Sequence, residues 1–198
     1  MFRHNRSAAS SRLAFRRRSD GGYTFAANGY FDHFVSRDSF RYLHRFMSSV
    51  KRSFGNYKLR FGIDLFERLR TTEPWSGDTV SPFEKTRVLN PAPSASAIDA
   101  IAIQVKRELP KLAGVPLVQS WAGMIDTTPD VVPVMDRIEQ IPGMFVAAGF
   151  SGHGFGIGPG AGRVMTDMII GNTLGHDMSR FRIGRFSDGS KLELGPTI

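Results

Sequence analysis

Met144-Phe145-Val146-Ala147-Ala148-Gly149-Phe150-Ser151-Gly152-His153-Gly154-Phe155-Gly156-Ile157-Gly158-Pro159-Gly160-Ala161-Gly162 is the stretch on which the reading of this chain turns. It begins with a compact apolar run, 144–148, of buried-strand type. A glycine-rich loop, 149–162, follows, with seven glycines in fourteen positions. Val164, Met165, Met168 and Ile169 then share one side of a helix expected over about 160–170, which Gly171-Asn172 closes. The order is strand, glycine-rich turn, helix. A helix N-terminus carries unsatisfied N–H donors and roughly half a positive charge. Glycine lets a guest approach the backbone closely. Such a place suits an anionic or electron-rich ligand, whether a phosphate or a flat ring.

Three motifs compete for this loop. A P-loop needs a lysine after its last glycine, and the loop has none. Gly156-Ile157-Gly158-Pro159-Gly160-Ala161 does satisfy G-x-G-x-x-A, with Asp177 at about the expected 20-residue distance. Yet no strand pattern leads into Asp177, and no βαβ unit has room to finish before residue 198. A loop that sets backbone donors against a ring system stays open, as does a ligand-free turn packed under other elements.

Working outward, Arg16–Ala27 reads as strand, turn, strand, with Asp20-Gly21-Gly22 as the turn. Phe40, Leu43, Phe46, Met47 and Val50 make one apolar stripe on a helix expected over 36–54, capped by Ser36 or Asp38 and ended by Gly55-Asn56. The span 71–83 reads as a loop. A short strand at Thr86–Leu89 precedes a helix over about 95–109, buried through Ala97, Ile98, Ile101, Ala102, Val105 and Leu109 and stopped by Pro110. Val115–Trp121 and Val131–Val134 read as further strands. Residues 1–15 read as an irregular lead-in and 186–198 as a tail.

The chain has 198 residues, 41% of them hydrophobic and 22% charged, which places it among ordinary globular proteins. It has no cysteine, which excludes disulfides, thiolate metal sites and a cysteine nucleophile. His33 and His44 do not form a metal-ligand pair and no carboxylates cluster with them, so no metal is expected. No apolar run reaches the roughly 18 residues of a membrane span, and the opening MFRHNRSAASS lacks the apolar segment of a secretory signal. A cytoplasmic protein is expected. The net charge of +8 lies in the first 60 residues, which carry 13 Lys/Arg against 3 Asp/Glu. That pattern is shared by nucleic-acid arms and mitochondrial presequences. A lead-in ahead of a strand plus a solvated helix face accounts for it, and no nucleic-acid partner is expected.

Two segments carry a family resemblance. Gln119-Ser120-Trp121-Ala122-Gly123-Met124-Ile125-Asp126-Thr127-Thr128-Pro129-Asp130-Val131-Val132-Pro133-Val134 resembles the WAG-x-x-D-x-TPD-x-x-PV element of FAD-dependent oxidoreductases of the D-amino-acid oxidase superfamily, which includes D-amino-acid dehydrogenase, sarcosine oxidase and glycine oxidase. Pro142–Gly160 resembles the closing PGL-strand-GFSGHGFG-x-GP-G element, in the right order and at the right distance.

The resemblance implies an α+β fold (of the α/β family overall): a mixed, largely antiparallel substrate-domain sheet with flanking helices, over about 16–118, and the C-terminal segment of a Rossmann-like FAD domain, over about 119–185. It implies FAD as cofactor and a small amine or amino acid as substrate, oxidised at its CH–NH bond by hydride transfer from the α-carbon to flavin N5. Gly149, Ser151, Gly152, His153, Gly154, Phe155, Gly156 and Ile157 would line the flavin ring, with amides near Phe155–Ile157 facing its N1/O2 edge. Trp121 and Gly123 would lie on the substrate side, and Tyr23, Phe31 and His33 would be substrate-pocket candidates. His153 would touch flavin or substrate, or only hydrogen-bond the backbone. No general base is implied. These 198 residues contain no strand–GxGxxG–helix for the ADP half of FAD. The expectation is an N-terminal loss: either a truncated, dehydrogenase-like gene product or a chain whose missing domain a second chain supplies, with a non-catalytic remnant or binding module without FAD as the alternative.

Overall fold

The computed structural model describes residues 7–9, 13–27, 31–53, 55, 57–61, 75–85, 87–88 and 90–196. The expectations for Phe54, Asn56, 71–74, Thr86 and Leu89, and for parts of the lead-in and tail, lie outside them. The chain divides into two compact units. One comprises Met1–Val35 and Asn56–Met124, the other Ser36–Gly55 and Ile125–Ile198.

In the first unit, β1 (Ser7–Ala9), β2 (Leu13–Arg17) and β3 (Tyr23–Ala27) form an antiparallel sheet in the order β1-β2-β3. The β2–β3 register pairs Arg17 with Tyr23 and Leu13 with Ala27. The expected turn closes it: Gly21 stands at φ +86°, the Arg18 amide donates to Gly22 O at 2.8 Å, and Asp20 Oδ1 accepts the Gly22 amide at 2.9 Å. Pairing reaches back to Ser7, into the stretch expected to be irregular, because the opening of β2 offers a second ladder edge that a local antiparallel return can use. A separate parallel pair, β4 (Phe31–Phe34) with β5 (Tyr57–Arg60), completes the strands among the described residues of this unit. Among the described residues, two small sheets stand where one mixed sheet was expected.

Other elements of the first unit depart from the sequence reading. Pro82–Lys85 forms one helical turn, α3, at the end of the expected 71–83 loop. Ser81-Pro82-Phe83-Glu84 is a capping box with proline at the first helical position: the Ser81 amide donates to Glu84 Oε2 at 2.7 Å and the Glu84 amide to Ser81 Oγ at 3.2 Å. Arg87 and Val88, the described residues of the expected 86–89 strand, join no ladder. The helix α4 (Ala95–Glu108) forms where expected and packs on β2 and β3, with Leu13 and Val105 buried, but Ala102 of its expected buried face is exposed. Val115–Trp121 is not a strand. Apolar alternation needs a hydrogen-bonding neighbour to become a ladder, and no described residue offers one. Val115, Leu117, Val118 and Trp121 are exposed instead.

In the second unit, the expected 36–54 helix is split at Tyr42 into α1 (Arg37–Arg41) and α2 (Leu43–Ser53). Ser36 caps α1, its amide donating to Ser39 Oγ at 3.0 Å. The apolar stripe does not become core: Phe40, Leu43 and Met47 are exposed. Arg45 Nη1 donates to Phe186 O at 2.6 Å. β6 (Val134–Arg137) and β7 (Phe145–Ala148) form an antiparallel hairpin that pairs Val134 with Ala148. Val131, Val132 and Pro133 belong to the turn ahead of β6, not to a strand, and Ala147 and Ala148 are exposed where a fully buried strand was expected.

The last helix, α5 (Gly154–Ile170), packs on both strands and ends at Gly171 in the left-handed region, φ +77°. It starts six residues before the expected point. Glycine and proline have low helix propensity, so Gly154–Pro159 reads as loop from sequence. Here tertiary packing holds it helical. The core of this unit is Val131, Val132, Val134, Met135 and Ala161, interleaved with buried Thr128, Asp130, Ser151 and Arg185.

Candidate functional site

The glycine-rich segment is thus a short loop, Gly149–His153, followed by the first turns of α5. Three of its residues hold left-handed backbone: Gly149 at φ +71°, Ser151 at +50° and Gly152 at +83°. Serine adopts that region only when its surroundings impose it. Ser151 has no solvent exposure at all. Its hydroxyl donates to Gly149 O at 3.1 Å, and its amide donates to Asp126 O at 3.0 Å. The side chain is used up holding the loop's own shape.

A second segment, Asp126–Val132, grips the loop. Asp126 Oδ2 accepts the Gly149 amide at 2.6 Å, and a bridge pairs Thr127 with Phe150. The Thr128 amide reaches Ser151 Oγ at 3.4 Å, and Thr128 Oγ1 donates to Val132 O at 2.8 Å. A Cβ added at Gly149 would run into the Thr128 methyl, so only glycine fits there. The grip continues into Asp130, whose Oδ1 accepts the Val132 amide at 3.1 Å. Between them Val131 is forced to φ +60°, a conformation that a β-branched side chain strongly disfavours.

The mouth of α5 faces outward. The His153 amide donates to Phe150 O, and His153 O accepts the amides of both Gly156 and Ile157. Two of the donors expected to face a ligand are therefore spent within the turn. No acceptor among the described residues takes the Gly154 or Phe155 amides. The Phe155 side chain is 96% exposed. Beyond it, a Cβ added at Gly156, Gly158, Gly160 or Gly162 would meet nothing within 4 Å. His153 is half-buried and makes no side-chain cap.

The other candidates lie in the first unit. Trp121 and Gly123 are exposed in the run before the boundary at Met124. Tyr23 opens β3 and stacks on Phe25 at 6.1 Å between centroids. Phe31 and His33 share one face of β4, with Phe31 tilted on Tyr57 at 5.8 Å. The structure brings Phe31 and His33 together, while Tyr23 belongs to the other sheet. Sequence reading assigned no role to Asp126, Thr128, Asp130 or Arg185. The first three lie inside the D-x-TPD element, which was itself the signal. Arg185 gives no signal in sequence.

Residues 5–168 match the family model described as FAD dependent oxidoreductase, DAO. The chain belongs to this family. The family is one of FAD-dependent oxidoreductases. The chain is 34% identical over 90 residues to peroxisomal sarcosine oxidase of Homo sapiens, covering 46% of this chain and 23% of that protein. It is 37% identical over 89 residues to a probable oxidoreductase, OrdL, of Haemophilus influenzae, covering 43% and 20%. Among solved structures, L-amino acid deaminase from Proteus myxofaciens, in complex with anthranilate, superposes with a TM-score of 0.81 at 27% identity, over 88% of this chain and 39% of that one. The deaminase from Proteus vulgaris gives 0.79 at 23% identity, over 88% and 40%, a likeness of fold. The chain thus spans about a fifth to a quarter of the curated relatives' length. The α+β assignment and the membership of an FAD-dependent amine and amino-acid oxidoreductase family both hold. No helix among the described residues is long and apolar enough to cross a membrane.

Proposed function

We propose that this chain is the flavin-facing and substrate-facing part of an FAD-dependent oxidoreductase that oxidises the carbon–nitrogen bond of an amino acid or secondary amine, in the manner of a D-amino-acid dehydrogenase. One observation carries the reading: the Gly154 and Phe155 amides find no acceptor among the described residues, at the start of a 17-residue helix whose glycine backbone lies open. Donors at a helix N-terminus stabilise negative charge. FAD supplies a two-electron acceptor for hydride from the substrate α-carbon and gains negative charge along one ring edge. The Gly154 and Phe155 amides suit that edge, and bare glycine backbone lets a planar ring come close. Gly149, Ser151 and Gly152 hold the loop rigid beneath it. His153, Trp121 and Gly123 are the side chains and backbone proposed to border the ring. Tyr23, Phe31 and His33 are the proposed substrate contacts. The ADP half of FAD has no strand–GxGxxG–helix among these 198 residues, so in our proposal residues outside them hold it.

The Gly156 and Ile157 amides, both spent on His153 O, favour a second reading, a binding module or remnant that does not take FAD. Titrating the purified chain with FAD separates the two. The expected result is quenched flavin fluorescence with a displaced visible spectrum, weakened by Gly156→Ala, whose methyl would occupy the open backbone. Flavin that stays free at every protein concentration leaves the second reading standing for this chain.

A further inference from the structure

The strongest feature that the proposed chemistry does not use lies behind the loop. Arg185, only 5% exposed, sits in a 3-10 turn, Ile183–Phe186. Its Nε donates to Asp130 Oδ2 at 2.7 Å and its Nη2 to Asp130 Oδ1 at 3.1 Å, a two-pronged pair. The same Nη2 reaches Val132 O at 2.6 Å, and Nη1 reaches Arg182 O at 2.8 Å. The guanidinium stacks on the Phe186 ring at 4.1 Å. From further along the tail the Gly195 amide donates to Asp130 O at 2.7 Å. A Cβ on Gly195 would stand 2.8 Å from Val131 O. The 183–195 tail therefore grips Asp130 and Val132 on both sides of the left-handed Val131.

We infer that Arg185 is a positioning residue for the glycine loop. It fixes the Asp130–Val132 turn, the turn fixes Thr128, and Thr128 and Asp126 fix Gly149 and Ser151. The strain at Val131 marks the turn as held rather than relaxed. Lysine could keep the charge but not the fork, so charge alone does not satisfy the site. The inference rests on the flavin reading for what the loop serves, but not for the linkage itself.

The test is site-resolved amide hydrogen exchange on the full chain. Arg185→Lys is compared with Met135→Ala, which opens the core of the same unit and leaves the polar turn intact. Arg185→Lys is expected to speed exchange at Gly149 and Ser151 by about tenfold or more relative to the β6–β7 amides. Met135→Ala is expected to speed both sets alike. Should Arg185→Lys not fold, Gly195→Ala loosens the tail from its other end and is expected to show the same selectivity. Exchange that rises uniformly in the tail variants, or that leaves Gly149 and Ser151 unchanged, overturns the inference. An FAD titration of the same samples is read separately. Wild-type protein that takes no FAD sinks the flavin reading and leaves the exchange result to decide the linkage.

Discussion

Gly149 stands in the left-handed region with its missing Cβ aimed at the Thr128 methyl. Alanine there meets both a backbone penalty and an overpacked wall. Gly149→Ala should cost about 2–4 kcal/mol, read from the denaturation midpoint. Asp130, 2% exposed, answers the Arg185 guanidinium. Asp130→Ala would leave that cation buried and alone, and should cost about 3–5 kcal/mol. A cost under about 1 kcal/mol would mean that water reaches the pair. Two exposed carboxylates of the tail behave differently. The Ser179 amide and hydroxyl hold Asp177 below its ordinary value of 3.8, and the Ser190 hydroxyl and amide do the same for Asp188. A carboxyl with a lowered folded-state pKa adds stability above its unfolded value and loses it as pH falls through the folded one. The 177–190 turns should therefore loosen only below about pH 3.8, and Asp177→Asn should remove part of that dependence. NMR titration of the carboxyl carbons checks the direction, and an Asp177 that titrates above its ordinary value would refute it.

At the scale of elements, α5 sets glycine at 154, 156, 158, 160 and 162 and proline at 159. Each interior glycine costs roughly 1 kcal/mol against alanine, and Pro159 removes the bond to Phe155 O. Gly158 has open space beside it. Gly158→Ala should thus raise the stability of the ligand-free chain by up to about 1 kcal/mol, by calorimetry. This helix also shows why part of the fold was illegible. The β2–β3 hairpin could be read because Asp20-Gly21-Gly22 specifies a turn through local chemistry alone. Helix α4 could be read because Ile98, Ile101 and Val105 repeat on one face. The start of α5 could not, since its residues prefer loop and only β6 and β7 beneath it decide otherwise. The Ser81–Glu84 capping box is legible in sequence, but it follows a loop already punctuated by Pro74 and Gly77. For the site, the glycine loop could be read, but the Asp130–Arg185 pair spans 55 residues and leaves no local trace.

The whole molecule divides into two units, and the WAG–TPD element crosses from one to the other at Met124–Ile125. Trp121 on the first side is 58% exposed, and Phe155 in the second unit is nearly bare. Family membership gives the chain FAD as its expected ligand. Anything that binds only the folded state raises its stability by mass action, about 2.7 kcal/mol at a hundredfold excess over Kd. Added FAD should therefore raise the melting temperature of the full chain in a concentration-dependent way, and ADP alone should not, because its half of the cofactor finds no fingerprint here. An ADP effect equal to that of FAD would point to a nucleotide site outside the glycine loop.

The tail grip has one more consequence, in biosynthesis. Arg185 and Gly195 are translated after every residue of the turn and loop they hold. The β6–β7 hairpin can pair while the ribosome is still working, but the left-handed Val131 has only its local contacts until the Arg185 and Gly195 partners of the turn emerge, roughly a few seconds later. The loop is thus shaped last, and a nascent chain stalled before Arg185 should carry a formed hairpin with an unset loop.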